Sequence, residues 1–328
     1  MPTVLIAPAP LRHQPGPYRD LLVAAGFVPI DPDGDGTLTE AQLRAYLPLA
    51  DAMLAGGEEL TAAVLADAPR LRVIARTGVG YDSVDVDAAT RQGIPVAITP
   101  GTNQGSVAEQ AFALLLAVAR NVHGNDATIR RGGWDRTLVR PLRGSTLGLL
   151  GLGRIGRAVA TRALAFEMRV LACDPLPPGP FEAQHGIERV PMETILREAD
   201  VLSLHLPLTA ETRGLIRAGT LARMKPGAIL INTARGGLVV ERDLHDALVS
   251  GHLAGAGLDV LQEEPPAPDH PLLRLPNCVF SPHIGGIDAK GMADMAELAA
   301  RCVVDLHQGR WPADCVVNAE LAPGWAWK

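Results

Sequence analysis

The sequence predicts an α/β chain with two doubly wound parallel sheets. Three observations carry this. Short β-type runs alternate with segments of helical spacing. The alternation restarts once, after a long apolar helix near residue 110, and a glycine-rich turn joins strand to helix early in the second series. At 328 residues the chain has room for two domains, each with a substantial core.

The first series reads VLIA (4–7) as strand, PYRDLLVAAG (17–26) as a helix stopped by glycine, and FVPI (27–30) as strand. The next stretch, DPDGDGTLTEAQ (31–42), begins like a calcium-binding EF-hand loop, with aspartates at positions one, three and five and glycine at six. A strand precedes it, however, and position twelve is Gln42, where the clamping glutamate belongs. Thr39 and Gln42 instead fit a capping box that opens the helix AQLRAYL. The stretch is read as a solvated β-to-α turn, and no specific calcium site is expected. DAMLA (51–55), a helix over EELTAAVLAD, strand LRVIAR (71–76), helix VDAATRQ and strand IPVAI (94–98) complete the series.

Val107 to Arg120 is a long apolar helix, suited to crossing between domains. Its most apolar part, AFALLLAVA, is about half of the ~18–20 residues that span a bilayer. The second series then runs through TLGLL, RVLACD (169–174), DVLSLH (200–205), AILINT (228–233), AGAGLDV (254–260) and CVFSPH (278–283), and Lys290 to Gln308 forms a last helix. The start MPTVLIAPAP lacks the basic and apolar regions of a signal peptide. A net charge of −6 without basic runs argues against nucleic acid as partner. Four scattered cysteines without a CxxC pair read as free thiols of a reducing cytoplasm.

Chemistry enters at Gly151-Leu152-Gly153-Arg154-Ile155-Gly156, which follows a strand and opens a helix. In that context the glycines permit a tight turn, close approach to a pyrophosphate and close helix–strand packing, with the phosphates at the helix N-terminus. The next strand ends in Asp174, placed to bind the adenine ribose hydroxyls. A 2′-phosphate there would meet a like charge at ~1–4 kcal/mol, so NAD is favoured over NADP.

Ligands in such sheets bind beyond the carboxyl ends of the strands. Three successive strands end in Ala234-Arg235, in Asp259 followed by Glu263-Glu264, and in His283. Arginine can grip a carboxylate with two prongs and polarise the adjacent carbonyl. Histidine can carry the proton that accompanies hydride transfer, and a neighbouring glutamate favours its protonated form. His205, before Leu206-Pro207, fits a cofactor wall. The trio supports carbonyl reduction at the carbon next to a carboxylate.

GLGRIG, HLPLTAETRGLI, INTARGGLV, GLDVLQEEP and SPHIGG resemble the D-isomer-specific 2-hydroxyacid dehydrogenase family, and RTGVGYDSVDV and NQGSVAEQ resemble its substrate-domain motifs. The resemblance covers almost the whole chain. It implies a Rossmann NAD-binding domain (103–286) inserted into a discontinuous flavodoxin-like substrate domain (1–102 and 287–328), and a homodimer built on the NAD domains. It implies that Arg235 binds substrate, that Glu264 pairs with the acid/base His283, and that Asp259 contacts the nicotinamide side. Pro207, Thr212, Thr233, Ala234 and Gly285 join the glycine motif as cofactor contacts, while the Val79 and Gly80 amides and Asn103 serve the substrate. Arg76, leading the glycine turn, is expected to favour an anionic tail such as that of 3-phosphohydroxypyruvate over glyoxylate.

Two departures stand out. Ile287-Asp288 follows HIGG, where the family commonly has a small residue and threonine. The sequence also ends at Lys328 without the regulatory domain of some 3-phosphoglycerate dehydrogenases, so serine-type feedback is not expected. Formate oxidation is disfavoured, because formate dehydrogenases of this fold resemble the chain with glutamine at the Glu264 position. The competing reading is an NAD-sensing scaffold like the corepressors of this fold, and a calcium sensor stands a distant third.

Overall fold

The computed structural model describes residues 1–327. The chain divides into two compact units, one of Met1–Asn103 with the stretch from Asp288 onward, the other of Gln104–Ile287.

The first unit holds a parallel sheet of β1 (Thr3–Ile6), β2 (Val28–Ile30), β3 (Ala52–Ala55), β4 (Val73–Arg76) and β5 (Val96–Ala97), in the order β2-β1-β3-β4-β5. This is the flavodoxin-like order. Side chains alternate between two cores. Val4, Ile6, Ala52 and Leu54 pack with helices Pro17–Ala24 and Ala289–His307. Leu5, Met53 and Ala55 pack with Leu43, Val64 and Ala88 on the helices of the opposite face. Burial on both faces is why these strands read as unbroken apolar runs.

The run IPVAI yields only a two-residue strand because its flanks bond elsewhere. Ile94 N donates to Ala89 O of the preceding helix, and Ile98 N donates to Cys315 O. Val316 pairs antiparallel with Ala97, and the Asn318 amide bonds Val96 N, Ile94 O and Thr90 Oγ1. The Ile287-Asp288 departure is absorbed locally, since Asp288 caps the helix Ala289–His307 by accepting from Gly291 N at 2.7 Å.

The calcium-like loop follows β2, and its oxygens face protein donors. Asp31 accepts from both terminal nitrogens of Arg19, at 2.6 and 2.8 Å, and from His13 N. The buried Arg12 guanidinium takes the carbonyls of Ala7, Gly34 and Gly36. Gln42 closes the capping box with Thr39. Among the described residues, no group of three or more His, Cys, Asp or Glu could hold a metal ion.

The second unit holds β6 (Thr146–Leu150), β7 (Arg169–Cys173), β8 (Glu188–Arg189), β9 (Val201–Leu204), β10 (Ala228–Asn232), β11 (Leu253–Leu258) and β12 (Cys278–Phe280). All run parallel in the order β12-β11-β10-β9-β6-β7-β8. The order reverses between β6 and β9, the switch point beyond which such sheets bind ligands. The edge strand β8 was not foreseen, because two polar residues carry no alternation signal. The apolar helix Gln104–Ala119 belongs wholly to this unit and packs its Ala108, Ala111 and Leu115 on the sheet. Among the described residues, no helix is long and apolar enough to cross a membrane.

Candidate functional site

The turn after β6 is shaped by close approach. A Cβ on Gly151 would lie 2.3 Å from His205 O, and one on Gly156 would lie 2.3 Å from Gly151 O. Gly153 instead faces open space and starts the twelve-residue helix Arg154–Ala165 without a side-chain cap. Backbone amides and open space at one helix end suit a pyrophosphate. Ile155 is half-buried against the core behind, and Arg154 is exposed.

Asp174, at the end of β7, turns back onto this loop. Its Oδ2 accepts Leu152 N at 2.7 Å, and its Oδ1 accepts Leu176 N at 2.9 Å. Arg189 holds the same turn through the carbonyls of Asp174 and Leu176, and pairs with the buried Glu182 at 2.8 Å. Across the switch point, His205 Nε2 meets Ser203 Oγ at 2.9 Å, and burial pushes the His205 ring down to about 4, which keeps it neutral. Thr212 Oγ1 donates to Pro207 O and folds the segment that follows. Thr233 Oγ1 is buried with no partner among the described residues, a vacancy that a bound polar group would satisfy.

The catalytic candidates leave three adjacent strands. Asn232, at the end of β10, is buried; it accepts Ala234 N and donates to Arg235 O, which folds the turn carrying Arg235. Glu264 lies beyond β11, accepting Leu261 N with Oε1 at 2.9 Å and meeting His283 Nδ1 with Oε2 at 2.7 Å. Burial pushes the Glu264 carboxyl up. The hydrogen bond and charge of His283, the Leu261 amide and the charge of Arg235 outweigh it, so the group lies below its usual range and stays ionised.

Asp259 does work that the sequence did not disclose. It is buried, and its carboxylate accepts Ser281 Oγ at 2.5 Å, Ile284 N at 3.0 Å and Gly285 N at 2.8 Å. Its backbone oxygen accepts His283 N at 2.8 Å. Gln110, from the helix Gln104–Ala119, donates to Ser281 Oγ at 2.8 Å. Asp259 is thus first a holder of the His283 loop. The signal that could have found it is a lone carboxylate ending an otherwise small and apolar strand.

In the other unit, the backbone amides of Val79 and Gly80 have no hydrogen-bond acceptor among the described residues, and Asn103 is buried. Arg76 is engaged within its own unit. Its Nε donates to Gly80 O at 3.0 Å, and its Nη1 donates to Ser83 Oγ at 2.8 Å and to Gly56 O. The bond to Gly80 O braces the glycine turn, and the bond to Gly56 O ties it to the loop after β3.

Comparison with known proteins agrees with this geometry. Residues 112–285 match the family model described as D-isomer specific 2-hydroxyacid dehydrogenase, NAD binding domain. The chain is 44% identical over 270 residues to a glyoxylate reductase of Korarchaeum cryptofilum, covering 80% of this chain and 81% of that protein. It is also 44% identical over 291 residues to a D-3-phosphoglycerate dehydrogenase of Mycobacterium tuberculosis, which covers 86% of this chain but 55% of that longer protein. Among solved structures, the TT0316 protein of Thermus thermophilus superposes with a TM-score of 0.86 at 42% identity, over 96% of this chain and 99% of that one. The chain therefore belongs to the D-isomer-specific 2-hydroxyacid dehydrogenase family and is an NAD-dependent oxidoreductase of 2-hydroxyacids.

Proposed function

We propose that the enzyme interconverts a short, unphosphorylated 2-oxo acid, glyoxylate or hydroxypyruvate, with its D-2-hydroxyacid. The observation that carries the mechanism is the 2.7 Å contact between Glu264 Oε2 and His283 Nδ1. With Nδ1 engaged, Nε2 is the nitrogen that can pass a proton to the C2 oxygen during reduction and take it back during oxidation. Arg235 grips the substrate carboxylate and polarises the carbonyl. Bound NAD supplies the hydride acceptor or, reduced, the donor. Gly151, Gly153, Arg154 and Gly156 would hold its pyrophosphate, Asp174 its adenine ribose, and His205, Pro207, Thr212, Thr233, Ala234 and Gly285 its remaining polar edges.

What favours the unphosphorylated substrate in this reading is that Arg76 Nε and Nη1 already bond Gly80 O, Ser83 Oγ and Gly56 O. NADH consumption with glyoxylate, hydroxypyruvate and 3-phosphohydroxypyruvate tests it. A higher kcat/KM on the phosphorylated acid would refute the substrate assignment. No turnover on any 2-oxo acid would return the NAD-sensing scaffold.

We further infer a homodimer in the cytoplasm. Val122 and Ile129, on the helix Val122–Arg130, are more than half exposed, and Trp134 and Leu138 on the segment after it are 77% and 103% exposed. Apolar side chains grouped along one arm suit a second copy of the chain. The four cysteines are free thiols, which suits a reducing compartment.

A further inference from the structure

Glu264 faces a mechanical difficulty. Residues 262–265 are exposed, so core packing does not hold the carboxylate that must meet His283. We propose that Glu241, paired with His270, is a positioning residue that sets the Glu264 loop against the histidine. The proposal rests on the reading of Glu264 and His283 as the acid/base pair.

Glu241 is the first residue of the helix Glu241–Val249, six positions beyond Arg235. Its two carboxylate oxygens are used separately. Oε1 accepts Gln262 N at 2.7 Å, and Oε2 meets His270 Nε2 at 3.0 Å. Both side chains are largely buried, 15% exposed for Glu241 and 19% for His270. A charge-assisted bond shielded from water is stronger and less labile than one on the surface.

The tether works on a short lever. Gln262 lies two residues before Glu264, and its neighbour Leu261 donates its amide to Glu264 Oε1. Gln262 Nε2 also donates to Val239 O at 2.6 Å, so the same residue is bound twice to the segment that leaves the Arg235 turn. That turn and the Glu264 loop touch directly, because a Cβ on Gly236 would lie 2.0 Å from both Leu261 C and Leu261 O. Glu241 thereby fixes the arginine turn and the glutamate loop in one frame.

His270 completes the arrangement from the far side of the loop. Its Nδ1 is buried without a partner among the described residues, so Nε2 is the nitrogen through which the ring is oriented. A donated Nε2–H turns one Glu241 oxygen toward His270 and leaves the other for Gln262. The charged groups that act on the Glu264 carboxyl are His283 and Arg235. Glu241 therefore acts on Glu264 through backbone placement.

Glu241→Ala, Glu241→Gln, His270→Ala and Glu264→Gln, assayed for 2-oxo acid reduction across pH, test the proposal. Glu241→Ala should lose about ten- to a hundredfold in kcat, the scale of a misplaced catalytic group. Its alkaline limb should fall to lower pH, as in Glu264→Gln, while KM for NADH stays within about twofold. Glu241→Gln keeps an acceptor for Gln262 N and should restore most of kcat and the limb. His270→Ala removes one tether and should show a smaller loss of the same kind, and it stands in if Glu241→Ala does not fold. A lowered Tm with kcat and the limb unchanged would make Glu241 merely structural and overturn the proposal. If Glu264→Gln moves the limb and the Glu241 and His270 variants do not, this proposal alone fails. If Glu264→Gln does not move it either, the acid/base reading beneath it fails too.

Discussion

Asp174→Asn isolates the charge that should make this enzyme an NAD enzyme. The substitution keeps the size and one acceptor oxygen of the side chain. In the native structure the two carboxylate oxygens accept Leu152 N and Leu176 N. Any ribose hydroxyl therefore meets a carboxylate already oriented by the glycine loop on one side and its own turn on the other. A 2′-phosphate in the same place brings a like charge to about 4 Å, at ~1 kcal/mol where water screens fully and ~4 kcal/mol at an effective dielectric near 20. At ~1.36 kcal/mol per decade, that is a preference for NADH of roughly fivefold to several hundredfold.

Asparagine removes the repulsion, but its amide nitrogen must face one of the two backbone donors. Affinity for both cofactors should consequently fall, by the ~0.5–1.5 kcal/mol of an ordinary lost hydrogen bond. The informative quantity is the ratio of kcat/KM for NADPH to that for NADH, measured with one 2-oxo acid at saturation. It should rise in Asp174→Asn by most of the native preference. A native enzyme that uses both cofactors equally, or a variant that loses the same factor on each, would refute the electrostatic argument.

Three further outcomes follow from the same structure. Glu264→Gln removes a negative charge about 4 Å from the imidazole centre, ~4 kcal/mol at an effective dielectric of 20 before screening. With the His283 side chain 49% exposed and Glu264 36%, screening leaves ~0.2–1 kcal/mol, the range of an exposed pair. The alkaline limb of reduction should then move to lower pH, and an unmoved limb removes Glu264 from the pair. Asp31 is pushed up by burial, but the hydrogen bonds from Arg19 and His13 N hold it lower overall. Its stabilisation is thus complete above the ordinary carboxylate range and lost as pH falls through the depressed one. Asp31→Asn should cost ~1.5–3 kcal/mol near neutrality and little in strong acid, and equal losses at both pH values would contradict the ion pair. Trp134→Glu should shift sedimentation toward monomer with kcat/KM for NADH nearly intact, whereas an unchanged dimer would place the interface elsewhere.

What could be read in the sequence follows from what each feature depends on. Strands buried on both faces are apolar along most of their length, so β6, β9 and β10 announce themselves. Residues placed by chain direction, such as Arg235 and His283, are legible because parallel strands deliver their ends to one edge. Side-chain orientation is another matter. Arg76 is turned by Gly56 O and Ser83 Oγ, partners 20 and 7 residues away, and no local pattern encodes such contacts. The paired roles of Glu241 and His270 are hidden for the same reason, the two lying 29 positions apart. The calcium-like loop shows the converse, a local pattern whose meaning is decided by Arg12 and Arg19 from outside it.

One strand end secures the histidine twice over. His283 has a φ of 53°, in the left-handed region that costs a non-glycine residue on the order of 1–3 kcal/mol. Such a conformation persists only where its surroundings over-determine it. Asp259 does this for the backbone, through Ser281 Oγ, Ile284 N, Gly285 N and its own carbonyl on His283 N. Five residues on, Glu264 does it for the ring through Nδ1. The two carboxylates differ in burial, and the difference matches their tasks. Asp259 is 2% exposed and fixed by three donors, as a static support should be. Glu264 lies on an exposed loop, where, on the proposed acid/base reading, water can accommodate a change in its partner's charge during turnover. A glutamate buried as deeply as Asp259 would oppose deprotonation of the histidine too strongly for one residue to serve both reduction and oxidation.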